Sequence, residues 1–284
     1  LGRRMPLPGD ATCLHLITEY GALYPHGIMP VFLLLQGVVF AYSAIELLGT
    51  AAGECHDARE ILPRALNSVI WRIGLFYVGS VVLLVCLLPW TAYHAGVSPF
   101  VTFFQALGIP GVGTIMNIVV LTAALSSLNS GLYSTGRVLR ALSLGGSGPQ
   151  MLSKMNKSSV PYMGILTTLP VYLVGVGLNY LIPSRVFEVV LNFSAIGIIS
   201  TWGFMLLCQL RLRSAINRGE IAPTTFAMPG APYTNWATLG FLAFVLLMMA
   251  FDYPDGTITI GAIPLIGLIL VGGWLLLART RKAH

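Results

Sequence analysis

The sequence predicts an all-α integral membrane protein of seven transmembrane helices, and three observations carry that prediction. Apolar residues fill 56% of the chain and charged residues only 9%, against about 25% charged in a soluble domain. The apolar residues gather into seven runs, each near the roughly 20 residues that a bilayer requires. The basic residues sit in alternate connections between those runs, as expected of a chain that crosses a membrane repeatedly.

Taken in order, residues 1–27 are polar, hold Pro6, Pro8 and Gly9 among others, and read as an external loop. The first span is expected at about 28–50. The segment 51–70, with Glu54, Asp57, Arg59, Glu60 and Arg64, reads as a charged loop with room for a short surface helix. A second span at about 71–89 ends on Pro89-Trp90, an aromatic suited to the membrane interface. Further spans follow at about 112–136, 162–182, 186–210, 236–251 and 258–278. The transmembrane domain is thus 28–278, with a short tail at 279–284.

The basic residues set the expected orientation. One side collects Arg59, Arg64, Arg72, Arg137, Arg140, Lys154, Lys157, Arg211, Arg213, Arg218, Arg279, Arg281 and Lys282, thirteen of the sixteen in the chain. The other side has Arg3, Arg4 and Arg185. The positive-inside rule makes the thirteen cytoplasmic, so this chain's N-terminus is expected outside and its C-terminus inside a cytoplasmic membrane. The same distribution accounts for the net charge of +6 without a nucleic-acid partner. Cytosolic enzyme classes are excluded by composition, and no secretory signal is visible in the first 27 residues. Cys13, Cys55, Cys86 and Cys208 lie far apart with no metal-ligand spacing, so they read as independent apolar residues, and neither metal nor cofactor is expected. Gly108-Ile109-Pro110-Gly111-Val112-Gly113 lacks the Lys-Ser/Thr of a phosphate loop.

The most informative stretch runs from Phe40 to Glu54, Phe-Ala-Tyr-Ser-Ala-Ile-Glu-Leu-Leu-Gly-Thr-Ala-Ala-Gly-Glu. It completes an apolar run, then fills with small and hydroxyl residues, and Glu46 stands where a lipid-facing helix would carry leucine. A carboxylate at the centre of a membrane helix costs about 2.5–3.5 kcal/mol on insertion scales, so it is expected to face a bundle interior or a wet cavity. A buried acid with a raised pKa can also carry a proton. Ser43 and Ala44 mark the expected break of the helix, where freed backbone groups become ligands. On the third span, Ala123, Ser127, Gly131 and Thr135 recur every four residues beside the row Ser126, Ser130 and Ser134, which suits close helix packing. Asn192 and Ser194 are polar residues inside the fifth span and need partners there.

The Phe40–Glu54 stretch resembles the sixth transmembrane helix of amino-acid permeases of the amino acid–polyamine–organocation superfamily. Ser126-Ser127-Leu128-Asn129-Ser130-Gly131-Leu132-Tyr133-Ser134-Thr135-Gly136-Arg137 resembles the family's eighth helix, and Trp202–Arg213 with Asn217-Arg218 resembles the end of its tenth. The resemblance implies a leucine-transporter-like inverted-repeat bundle, of which this chain would hold the second repeat plus the last two helices. Residue 1 would then fall in the external loop after a fifth helix, and the glycine-rich first helix that shares the substrate pocket would lie outside this chain.

The resemblance also implies roles. Phe40 matches an aromatic that covers the substrate, with simple core packing as the alternative. Ser43 and Ala44 would meet the substrate's amine, or else serve close packing. Glu46 would gate or couple transport, or hold neighbouring helices. Asn192 and Ser194 border the permeation path and would contact substrate or another helix. Ser126, Ser127 and Asn129 fall where sodium-coupled relatives hold a cation, so the coupling ion is expected to be a proton or, alternatively, sodium. The implied function is secondary active uptake of a neutral amino acid. Asn217-Arg218-Gly219-Glu220-Ile221 and the loop 250–257 are most similar to the family's asparagine-transporting branch, with D-serine/D-alanine/glycine and aromatic substrates as alternatives. Two other classes remain open: a membrane-embedded enzyme using Glu54, His56 and Asp57, and a chain that inserts and packs without transporting.

Overall fold

A computed structural model describes residues 18, 24–51, 57–94, 96–181, 186–222 and 228–282. Among these residues the regular structure is entirely helical. The chain divides into two compact units. One holds Leu1–Ile28 and Ala65–Thr135, and the other Met29–Arg64 and Gly136–His284.

In the first unit, helix α4 (Ala58–Ile73, begun in the second unit) continues through a π-helical turn, Gly74–Val78, into α5 (Gly79–Leu87). The expected charged loop at 51–70 is therefore helical from Ala58 onward, and Glu60–Leu87 forms one apolar helix of 28 residues. Its charges fit a helix because Glu60 and Arg64, four residues apart, approach to 3.7 Å on an exposed face. Such a pair contributes only a few tenths of a kcal/mol, about 0.3–0.5, so the long apolar continuation sustains the helix. The helix stops where Leu88 turns extended ahead of Pro89. Tyr93 Oη then donates back at 2.7 Å to the Leu84 carbonyl, which also accepts from the Leu88 N–H at 3.1 Å, and burial pushes the Tyr93 phenol pKa up. Helix α6 (Pro99–Ala106) starts with proline at its first position, where the missing N–H is no loss. Helix α7 (Val112–Leu144) has 33 residues, about 50 Å at 1.5 Å per residue, and so outruns a core of about 30 Å. Cys86 is disulfide-bonded with a partner outside the described residues. This corrects the expectation of four independent cysteines, although Cys208 is free and exposed.

The second unit is built from α1 (Met29–Leu33), α2 (Leu35–Ala41), α3 (Leu47–Ala51), α8 (Tyr162–Leu181), α9 (Val186–Asn217), α10 (Tyr233–Ala250), α11 (Asp255–Gly261) and α12 (Ile263–Lys282). Its core forms where α2, α9 and α10 meet. Val39, Ile199, Leu242 and Val245 are buried there, with Leu35, Ile198, Trp202, Leu206 and Leu246 packed around them. Beside it, α8 crosses the last turns of α7, which from Gly136 onward belong to this second unit, at two glycines. A Cβ added to Gly164 would lie 2.8 Å from the Gly136 Cα, so the backbones touch there, as small residues permit in membrane helices.

Six described helices are long and apolar enough to cross a membrane, and Met29–Ala41 is a shorter apolar helix. Their apolar faces stay largely outside the protein interior: Trp71, Leu75, Val171, Val174 and Tyr180 are all exposed. Patches of this extent are rare on soluble proteins, whereas lipid covers them at no cost. Because lipid is as apolar as leucine, burying these side chains adds little, and close packing and interhelical hydrogen bonds must define the arrangement.

Candidate functional site

The first apolar span is not one helix. Helix α2 stops at Ala41, residues 42–46 form a turn, and α3 resumes at Leu47. Ala44 lies at φ +73°, a left-handed conformation that costs a non-glycine residue about 1–2 kcal/mol. Within the turn, Ser43 N donates to the Phe40 carbonyl at 3.0 Å and Leu47 N to the Ala44 carbonyl at 3.2 Å. The N–H groups of Ala44, Ile45 and Glu46 donate to no described residue, and the Ser43 carbonyl accepts from none. Unsatisfied backbone groups at membrane depth are tolerated only where they line a cavity or meet a ligand. The interruption that Ser43 and Ala44 suggest in the sequence is thus present, and it exposes both donors and acceptors.

Helix α9 brackets this break with two side-chain hydrogen bonds. At one end Gln36 Nε2 donates to Asn192 Oδ1 at 3.1 Å and to Asp252 Oδ2 at 2.9 Å. At the other end Trp202 Nε1 donates to Glu46 Oε2 at 3.1 Å. Both pairs, Gln36–Asn192 and Glu46–Trp202, are separated by 156 residues, so the broken segment and α9 run parallel and keep one register across the turn. Ala195, which lies between the two ties along α9, is fully buried. The break is held at both ends by one unbroken helix, Val186–Asn217, as a pre-organised site needs.

Of the residues singled out in the sequence, Phe40, Ser43, Ala44, Glu46, Asn192 and Ser194 all belong to the second unit. Phe40, Ser43, Glu46 and Ser194 are half-buried, Ala44 is exposed and Asn192 is buried. Asn192 spends its carbonyl oxygen on Gln36, and Glu46 spends one carboxylate oxygen on Trp202. Ser126, Ser127 and Asn129 stand exposed on α7 in the other unit. Glu54 and His56 lie outside the described residues, and Asp57 is exposed at the start of α4.

Sequence reasoning missed Gln36, Trp202 and Asp252. Gln36 is the one strongly polar side chain between Ile28 and Phe40, and that was the available signal. It is 7% exposed, and its Oε1 is buried with no partner among the described residues. A similar contact ties α9 to α10, where Asn235 Nδ2 donates to Gln209 Oε1 at 2.6 Å.

The sequence of this chain matches the family model for amino acid permeases over residues 7–283. The chain belongs to the amino acid permease family. Two similar proteins are L-asparagine permeases of Salmonella typhimurium and Escherichia coli, each 64% identical over 274 residues, an overlap of 96% of this chain and 55% of the relative. An L-asparagine permease 1 of Mycobacterium tuberculosis is 51% identical over 291 residues, covering all of this chain and 60% of the relative. The chain therefore spans little more than half the length of these relatives. No solved structure matches it. Family and helices together make this permease family member a multi-pass membrane protein, and the broken segment at 42–46 is its most distinctive internal feature.

Proposed function

We propose that this chain serves secondary active uptake of a neutral amino acid, L-asparagine first, across the cytoplasmic membrane, with the substrate bound at the Tyr42–Glu46 break. The observation that carries the proposal is the break itself: N–H groups at 44–46 and a Ser43 carbonyl that no described residue pairs, held between two ties from α9. A zwitterionic amino acid needs both kinds of group, donors for its carboxylate and acceptors for its amine. The relatives named as L-asparagine permeases support the substrate.

In this mechanism Ser43 and Ala44 meet the substrate's polar end, and Phe40, one turn earlier, covers it. Ser194 lies along the same path, while Asn192 acts through Gln36 in holding α2. Glu46 is the coupling group. Its free carboxylate oxygen takes up or releases a proton as the segment changes its exposure to the two sides. Sodium at Ser126, Ser127 and Asn129 is the alternative coupling. Transport proceeds by alternating access, one bundle rocking against another around the broken helix. The basic-residue count orients the chain N-terminus outside and C-terminus inside.

The test is uptake of labelled L-asparagine by cells expressing this chain, with unlabelled amino acids as competitors and membrane abundance measured in parallel. Saturable uptake, competed by asparagine better than by D-serine, glycine or phenylalanine, is expected. Well-inserted protein that takes up no amino acid overturns the proposal.

A further inference from the structure

A second polar feature lies away from the break. The last turns of α7 and the segment leading into α8 enclose a cleft of about 230 Å³ lined by Arg137, Val138, Arg140, Leu144, Met155 and Pro161. The geometry points to a binding site for a phosphate group, carried by an anionic phospholipid whose glycerol and first methylenes lie on the aliphatic wall.

Arg137 and Arg140 both line this small cavity, and no carboxylate does. The sequence has no Asp or Glu anywhere from Ile61 to Phe187, while Lys154 and Lys157 add positive charge to the same connection. Arg140 is oriented rather than loose: its Nε donates to the Ser153 carbonyl at 3.3 Å. That leaves the two terminal nitrogens, the fork that recognises phosphate bidentately, with no hydrogen bond to a described residue.

The wall is equally fixed. Ser143 Oγ donates to the Pro149 carbonyl at 2.8 Å. Asn156 Oδ1 accepts from the Ser158 and Val160 N–H groups, each at 2.9 Å. Pro161, which lines the cleft, packs beside Gly136 at the Gly136–Gly164 crossing. A helix C-terminus ordinarily repels anions, but here the Ala141, Leu142 and Ser143 carbonyls are already occupied by the N–H groups of Gly145, Ser147 and Gly146. The negative end of α7 is thereby largely quenched. Val138, Leu144 and Met155 supply apolar contact that a free anion would not use. Arg137, Arg140, Lys154 and Lys157 all stand at one connection between apolar helices, the kind of basic segment that meets anionic headgroups.

The test is native mass spectrometry of the detergent-purified chain with phosphatidylglycerol, and with phosphatidylcholine of the same acyl chains. Phosphorus NMR line broadening reads inorganic phosphate binding in the same samples. Three variants are compared: Arg140→Gln, Met155→Trp, which fills the cleft without changing charge, and Arg211→Gln, which removes an equal charge elsewhere. Phosphatidylglycerol is expected to be retained over phosphatidylcholine, about tenfold less in Arg140→Gln and Met155→Trp and unchanged in Arg211→Gln. Inorganic phosphate binding with the same variant pattern, but without lipid retention, would support the phosphate site and assign it to the free ion. Equal losses in Arg140→Gln and Arg211→Gln, or full retention in Met155→Trp, would overturn it.

Discussion

Replacing Gln36 isolates what the outer tie is worth. Its two hydrogen bonds differ in kind: the one to neutral Asn192 is worth about 0.5–1.5 kcal/mol, and the one to the Asp252 carboxylate about 1.5–3 kcal/mol. Against these stands the buried, unpartnered Oε1 of the same side chain, a penalty of about 1–3 kcal/mol. Gln36→Leu removes all three terms at similar volume but leaves the buried Asn192 Oδ1 and the Asp252 carboxylate without this donor. Its net cost should be about 2 kcal/mol. Gln36→Glu is nearly isosteric but turns the donor into an acceptor facing Asn192 Oδ1 and Asp252 Oδ2. An unpaired charge beside a like charge should then cost about 3 kcal/mol or more at neutral pH. Lowering the pH should relieve it, because one protonated carboxyl restores a donor. Equilibrium unfolding in a denaturing detergent, at neutral and acidic pH, measures both variants. If Gln36→Glu were as stable as Gln36→Leu at neutral pH, or if Gln36→Leu cost 4 kcal/mol or more (~), the account of the tie would be wrong.

The inner tie separates a coupling role from a structural one. Glu46→Gln keeps an oxygen that can accept from Trp202 but cannot exchange a proton, so uptake and its pH dependence should fall far more than membrane abundance. Trp202→Phe strips the donor from a half-buried carboxylate and should lower stability by about 1.5–3 kcal/mol. Equal loss of abundance in both variants would make Glu46 a packing residue. At the α7–α8 crossing, Gly164→Ala drives a Cβ into the Gly136 backbone and should destabilise by about 1–3 kcal/mol, read in the same unfolding assay, whereas Gly175→Ala, with open space around it, should not. Beyond the end of α9, Arg218 donates to Glu220 at 2.6 Å and holds its pKa below the ordinary 4.5. A depressed acid contributes its contact fully above the ordinary value and loses it as the pH falls through the lower folded-state value. Arg218→Gln should return Glu220 to the ordinary range in a carboxyl NMR titration, and an unchanged titration would refute the contact.

The break was legible because its residues are chemically out of place: Ser43, Ala44 and Glu46 have no business in a lipid-facing leucine run, and that anomaly survives without any knowledge of neighbours. Their partners were not legible. Trp202 sits in an apolar span where an indole is indistinguishable from a lipid-facing aromatic until its N–H is seen to reach Glu46. Gln36 was hidden by the apolar residues around it, and Asp252 lies 216 residues away along the chain, in a loop that showed only kinship. The helical start at Ala58 was obscured by Pro63 and by charges that resemble a loop when counted but alternate in sign around a helix when folded. The disulfide at Cys86 left no spacing signature, since its pairing depends on the fold and not on sequence distance.

The central claim is that the substrate binds at the Tyr42–Glu46 break, and substrate protection of a cysteine placed there tests it most directly. Ser43→Cys would be introduced with Cys208, free among the described residues, replaced by alanine, and its reaction with a small hydrophilic thiol reagent, over that of the same chain with Ser43 kept, timed with and without L-asparagine. Ser126→Cys on α7 serves as the comparison. The account predicts that asparagine slows modification at position 43 and leaves position 126 unchanged. The same rate at position 43 with and without saturating asparagine would contradict it.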